Sequence, residues 1–262
     1  EAKLPGFAEW IRVRDWRVGQ LLRLPNVTIY RDSRLGADDV IGFGADHVAI
    51  ATGATWRRDG VGRDSGFAIA GFDHPAVLTP DAIFAGERPR GPVVIYDDDH
   101  FYLGGVIAEL CAATGESVTY VTPALQPSAF SVNTLEATAI AKRLVKAGVA
   151  LVTRVSVSSF DGKALHVTDH LSGAARAIPA SALVSLTARL PADDLYEALK
   201  ARSAVGETVP SLARIGDCNS PSTIQAAVYA GHRWARERDE ADLNLNYPRE
   251  LPRAEPLRRF WS

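Results

Sequence analysis

Apolar residues change their spacing along this chain, and the changes mark its elements. In the middle, Val93–Tyr96 is a short apolar run and Leu103–Ala113 carries small and apolar residues at helical spacing. Gly115 stops that helix and Val118–Val121 is a second apolar run. A strand, a helix and a strand in this order form the opening half of a dinucleotide-binding unit. Upstream, Phe7–Leu24 has Trp10, Val13, Trp16 or Arg17, Gln20 and Leu21 at three-to-four spacing, which predicts an amphipathic helix with a basic outer face. Val27–Tyr30 predicts a short strand, Asp46–Gly53 a sharper one, and Arg57–Gly71 a loop. Thr79-Pro80-Asp81 opens a helix with Pro at its first position, and Glu87–Pro92 reads as a linker.

Downstream, Asn133–Ala147 predicts a helix in which Glu136 closes a capping box on Asn133 and Gly148 ends the run. Strands are expected at Val149–Val155, at Ala164–Thr168 after a hairpin through Asp161-Gly162, and at Ala182–Thr187. Asp193–Lys200 reads as helix. Leu212–Asp217 is a strand ending in Gly-Asp, followed by a long helix to about Glu240 with Ile224, Ala227, Val228, Gly231 and Ala235 on one face. The tail from Leu243 holds three prolines and a terminal Phe-Trp-Ser, the pattern of a surface arm.

The turn after the first central strand carries the chemistry. In a working dinucleotide site this turn is Gly-rich, so that amides at the helix N-terminus close on a pyrophosphate. Here it reads Asp97-Asp98-Asp99-His100-Phe101-Tyr102-Leu103-Gly104-Gly105. Three carboxylates stand where a phosphate would go, and two like charges about 4 Å apart repel by ~1 kcal/mol even in water. The same carboxylates suit the positive end of the helix dipole. The second strand ends Val121-Thr122-Pro123, without an acid for a ribose hydroxyl or an Arg for a 2′-phosphate. The expectation is a dinucleotide fold without its dinucleotide. The competing reading is an ordinary acidic turn of an unrelated α/β domain; a metal site is disfavoured because adjacent residues cannot all face one ion.

Bulk properties narrow the picture only slightly. The 262 residues suffice for one large or two modest domains, and a formal net charge of -2 gives no electrostatic reason to expect nucleic acid. No apolar run approaches a membrane span and no signal-peptide pattern opens the chain, so the expected compartment is the cytoplasm. Cys111 and Cys218 make neither a disulfide framework nor a metal site, and the six histidines lack ligand spacing. No Gly-x-Ser-x-Gly elbow appears, so catalytic residues are expected outside this chain. The absence of any methionine, and a start at Glu1, read as a piece of something longer.

Ala51-Thr52-Gly53 after a strand, a nested βαβ unit, and Ile215-Gly216-Asp217 leading into a helix together resemble the two-dinucleotide-domain flavoproteins. Leu4-Pro5-Gly6-Phe7-Ala8-Glu9-Trp10, Gly44-Ala45-Asp46, Ala54-Thr55-Trp56, Leu78-Thr79-Pro80 and Gly231-His232 resemble the C-terminal region of the trimethylamine dehydrogenase family. The acidic turn is most similar to that family's N-methyl amino-acid demethylase branch. The resemblance implies an α/β fold: a partial FAD/NAD(P)-binding Rossmann-like outer domain (1–90 and 189–244), an inserted second Rossmann-like βαβ domain (91–188), and an arm (245–262). It implies FAD or ADP at the outer domain, with Thr52, Gly53, Gly216 and Asp217 as the cofactor-binding residues. Asp217 would accept a hydrogen bond from the ribityl chain; the plainer readings are a helix-capping Asp and tight-turn glycines. No cofactor is expected in the inserted domain, where Thr187-Ala188 replaces the family's Thr-Gly. FMN and a 4Fe-4S cluster are expected in an N-terminal barrel of the same parent, and the outer domain's Gly-rich turn is expected upstream of Leu4. The implied activity is an amine dehydrogenase or N-demethylase; a silent scaffold, a docking surface for an electron-transfer flavoprotein, and an NAD(P)H-dependent enoyl reductase stay open. Self-association also stays open.

Overall fold

The computed structural model describes residues 4–238. The arm expected over 245–262 and the end of the helix expected to run to about Glu240 lie outside them.

Five strands form the main sheet, all parallel, in the order β3 (Val77–Leu78), β10 (Ala182–Leu186), β4 (Val93–Asp97), β5 (Val118–Thr122), β6 (Ala150–Thr153). Strands β4 and β10 are buried at every position, as their mostly apolar runs require of a sheet covered on both faces. Helices α4 (Tyr102–Ala113) and α5 (Ala137–Lys146) cover one face, where Ile95, Ile107, Val118, Tyr120, Ile140 and Leu144 interlock. An antiparallel trio, β7 (Val155–Phe160), β8 (Ala164–Asp169) and β9 (Ala175–Pro179), covers the other with Val155, Leu165, Val167 and Ile178 against Val94, Tyr96 and Leu183. Edge strand β3 lies upstream of the Pro92 linker, and helix α3 (Pro80–Ala85), with Pro80 at its first position, adds Ile83 to the helix-side core.

A second, smaller sheet pairs β1 (His47–Ile50) with β12 (Ser211–Arg214) in parallel. Helices α2 (Ala37–Phe43) and α6 (Asp194–Ala204) enclose a small core of Val40, Ile50, Leu199 and Cys218 there. Antiparallel β2 (Ala54–Trp56) and β11 (Arg189–Pro191) run between the two sheets, and α7 (Ile224–Glu237) follows β12.

Four expectations change. Val27–Tyr30 is no strand: the segment is largely exposed, and among the described residues nothing pairs with it. Helix α1 (Ile11–Leu21) forms without an apolar face against a core, since none of its residues is buried. Phe7 and Trp10, just ahead of it, pack on Tyr102, with ring centroids 5.1 and 5.3 Å away. The capping box at Asn133 is absent: a 3-10 turn over Ala129–Val132 uses that stretch, and α5 starts four residues later with no side-chain cap. The strand expected over Val149–Val155 breaks at Arg154, whose φ of 58° turns the chain out of one sheet and into the other.

Candidate functional site at the carboxyl ends of two parallel sheets

Parallel pairing of β1 with β12 sets their carboxyl ends side by side, with Ile215 N–H donating to Ile50 O. The two turns that follow, Thr52-Gly53 and Gly216-Asp217, therefore meet, and this end of an open α/β sheet is where ligands bind. Thr52 Oγ1 donates to Ala192 O and lies 3.2 Å from Cys218 Sγ. Gly53 has φ +81° and open space where a Cβ would stand, so a ligand could approach its backbone. Gly216 has φ +59° and packs on Ala227. Asp217 Oδ2 accepts from Arg189 Nη1 (3.1 Å) and Oδ1 from Ser222 N–H (3.0 Å). Asp217 thus does not cap α7; Thr223 does, its Oγ1 accepting from Ala226 N–H.

The structure therefore brings the four residues together, but not all of them stand free for a nucleotide. The backbone of Gly53 is open to an approaching ligand, whereas that of Gly216 is packed against Ala227. The Asp217 carboxylate is committed to Arg189, and Arg189 also donates to Ser222 O and lies over the Trp56 ring, 5.1 Å from its centroid. A ribityl hydroxyl would have to share that pair.

At the main sheet, the acidic turn is closed by the protein itself. Asp97, at the end of β4, is fully buried beneath the start of α4; a Cβ on Gly104 would come within 2.9 Å of its carboxyl carbon. It accepts from Tyr120 Oη and from His100 N–H (3.0 Å). Burial pushes its pKa up to about 7 despite the Tyr120 bond that opposes the rise, and Tyr120 is pushed far above its ordinary value, first by burial and then by the Asp97 charge. Asp98, also fully buried, accepts from the backbone of Arg63 and of Asp64 (3.0 Å), which pins the 60–66 loop over the turn. Gly62 is required there, because a Cβ would come within 2.1 Å of Asp98 Oδ2. His100 adopts φ +68°, and its Nε2 lies 3.4 Å from Asp98 Oδ1. Burial alone would lower the imidazole's pKa; the Asp98 bond and the Asp97 and Asp98 charges outweigh it and hold it raised.

Between the two sheets lies a cavity of about 640 Å³, within the usual size of a ligand site. Asp99, Phe101, Arg17, Arg189 and Asp217 line it, together with Ile224, Ala227, Val228 and Gly231 of α7. Asp99 is 8% exposed; burial raises its pKa, partly offset by the charges of Arg189 and Arg63.

Among the described residues no group of His, Cys, Asp and Glu could hold a metal. His166 bonds Asp161 (2.8 Å) and His170 bonds Ser156 (2.7 Å), as separate pairs, and Cys111 and Cys218 are free and buried. No described helix is long and apolar enough to cross a membrane. Sequence reasoning missed Arg189, Trp56 and Tyr120. Trp56 stands in a motif of the resemblance, but no local pattern gives the contacts of the three, because each acts on a partner brought near by sheet pairing.

Two parallel sheets, the first with Gly-Asp at its carboxyl end and the second carrying a βαβ unit with an antiparallel flap, define the FAD/NAD(P)-binding flavoprotein fold. Comparison with known proteins narrows this. The chain is 31% identical to dimethylamine dehydrogenase of Hyphomicrobium sp. (strain x) over 94% of its length, and 24% identical to a probable N-methylproline demethylase of Rhizobium meliloti (strain 1021) over 90%. The solved histamine dehydrogenase from Rhizobium sp. 4-9 matches 98% of the chain at 40% identity and TM-score 0.90. The 6-hydroxypseudooxynicotine amine oxidase from Pseudomonas geniculata N1 matches 89% at 43% and 0.86. No family model matches the sequence. The chain belongs to the trimethylamine dehydrogenase family and corresponds to its C-terminal part. It spans 37% of the length of the two curated relatives and 40% and 35% of the two solved chains.

Proposed function

We propose that this chain is the nucleotide-binding region of a flavin-dependent amine dehydrogenase or demethylase, and that the parent oxidises its amine at FMN in a barrel outside this chain. The observation that carries the reading is that relatives 31–43% identical along nearly the whole chain are amine dehydrogenases and an amine oxidase. The identity to the demethylase is lower, which favours the dehydrogenase side. In this reading 1–90 and 189–244 form the outer domain and 91–188 the inserted one, with β3 and α3 reaching across to the inserted sheet. FAD or ADP lies against Thr52-Gly53 and Gly216-Asp217 in the intact parent. The open backbone at Gly53 and the Thr223-capped start of α7 support that placement. When bound, FMN supplies the redox chemistry; the residues of this chain hold and orient a nucleotide and buttress the barrel. A 4Fe-4S cluster and docking of an electron-transfer flavoprotein belong to the same proposal.

The inserted sheet acts as scaffold in this account, because its phosphate turn is filled by Asp97 and roofed by the loop that Asp98 holds. Calorimetric titration of the complete protein with ADP, FAD and NADPH tests the reading. Binding of ADP or FAD that weakens in Gly53→Val supports it; binding of NADPH alone would favour an enoyl-reductase type of function instead.

A further inference from the structure

Strand β11 has only three residues, yet it and the residue after it reach both turns of the candidate site. Thr187 and Ala188 alone separate it from β10 of the five-stranded sheet, and its pairing with β2 sets Arg189 opposite Trp56 and Pro191 opposite Ala54. Just beyond it, Ala192 N–H donates to Gly53 O (2.9 Å) and Ala192 O accepts from Thr52 Oγ1, which holds the first turn by backbone. Arg189 holds the second by side chain. Its Nη1 donates to Asp217 Oδ2 (3.1 Å), its Nη2 to Ser222 O (3.0 Å), and its plane lies over the Trp56 ring.

Asp217 and Ser222 are the two ends of the short loop that leads to the Thr223 cap of α7, and Ser222 N–H closes that loop on Asp217 Oδ1. Arg189 therefore ties both ends to β11 and fixes where the first amides of α7 stand. The task needs a guanidinium. Two diverging donors reach a carboxylate and a carbonyl while the flat face stacks on an indole, and a Lys ammonium, a point charge on a flexible stem, cannot do all three. The Arg189 side chain is 19% exposed and its charge is paired with Asp217, while Asp99 borders the same cavity and feels that charge as well. Its positive charge is thus met by the protein's own carboxylates.

We propose that Arg189 is a positioning residue of the outer nucleotide site, acting on bound ADP or FAD through the 217–222 loop and the start of α7 and not as a phosphate-binding charge. The inference rests on reading that site as a nucleotide site.

The test compares the complete wild-type protein with Arg189→Lys, which keeps the charge, and Arg189→Gln, which removes it. Hydrogen exchange without added nucleotide reads the loop. The Ser222 amide should be protected in the wild type, and exchange over 217–224 should quicken in both variants while their melting temperatures stay near that of the parent. Calorimetric titration with ADP and FAD reads the site. Both variants should bind roughly tenfold more weakly than the wild type, because the fork and not the charge is what each has lost. Arg189→Lys binding as tightly as the wild type would show a role of charge and overturn the proposal, as would unchanged exchange over 217–224 in that variant. A Ser222 amide that exchanges like an open loop in the wild type would overturn it with no variant needed. Failure of the wild type to bind either nucleotide is a separate result: it overturns the nucleotide reading, and this proposal with it.

Discussion

Replacing Asp97 by Asn should remove a pH dependence of stability that the wild-type fold builds into its acidic turn. The residue has no exposed surface, and its carboxyl is raised from its ordinary 3.8 to about 7, chiefly by burial. A carboxyl raised on folding binds its proton more tightly in the native state, so its contribution is complete below the unfolded value and is lost as pH climbs through the native one. The interval of about three pH units, at 1.36 kcal/mol each, gives about 4 kcal/mol between about pH 4 and pH 8 as an upper figure. Asp161 and Asp169 act oppositely: hydrogen bonds, from His166 first at Asp161 and from Ser172 at Asp169, lower them, so their contribution is lost as pH falls below the ordinary carboxylate range. Subtracting the Asp97→Asn profile from the wild-type profile cancels both. The assay is urea unfolding of each protein at closely spaced pH values, extrapolated to water. The variant should be the less stable at about pH 4, where it lacks the neutral acid's bonds, and should gain on the wild type by several kcal/mol towards about pH 8. A difference that stays flat across that range would mean Asp97 is ionised throughout, and the account of its burial would fail.

Two further changes probe the elements that hold the site. Gly62→Ala would drive a methyl into the Asp98 carboxylate and free the 60–66 loop, at a cost of about 2 kcal/mol or more in chemical denaturation and with faster proteolysis at that loop. Thr223→Ala removes the α7 cap and should cost about 1 kcal/mol, read as a lower melting temperature, whereas Thr223→Ser should restore most of it.

The central unit was plain in the sequence because its signals are local. A buried parallel strand is an unbroken apolar run, and a helix covering it repeats every three to four residues, so β4, α4 and β5 fell close to their predicted bounds. The hairpin at Asp161-Gly162 was equally legible, with Asp161 closing it through bonds from the Lys163 and Ala164 amides. What the pattern could not give depends on partners. Val27–Tyr30 has strand chemistry, yet a strand also needs a neighbour for its backbone, and the described residues offer none. Strand β9 went unseen because only Ile178 of its five residues is buried, and β3 because two residues are too few to show a period. The candidate site divides in the same way. Thr52, Gly53, Gly216 and Asp217 were singled out through the family resemblance, and β1–β12 pairing places their turns side by side. The Arg189 bond to Asp217 spans 28 residues, and the Arg63 bond to Asp98 spans 35; no spacing in the sequence announces either. Asp97, Asp98 and Asp99 look alike in the sequence, but one seals a helix start, one pins a loop and one faces a cavity.

The claim on which the rest depends is that the protein's own carboxylates and loop close the phosphate turn of the five-stranded sheet. Titrating the complete protein with NADPH, with photo-crosslinking to locate any contact, measures this most directly. The account predicts no saturable crosslink to Asp97–Tyr102 or to the 60–66 loop; tight NADPH binding with crosslinks in that turn would contradict it.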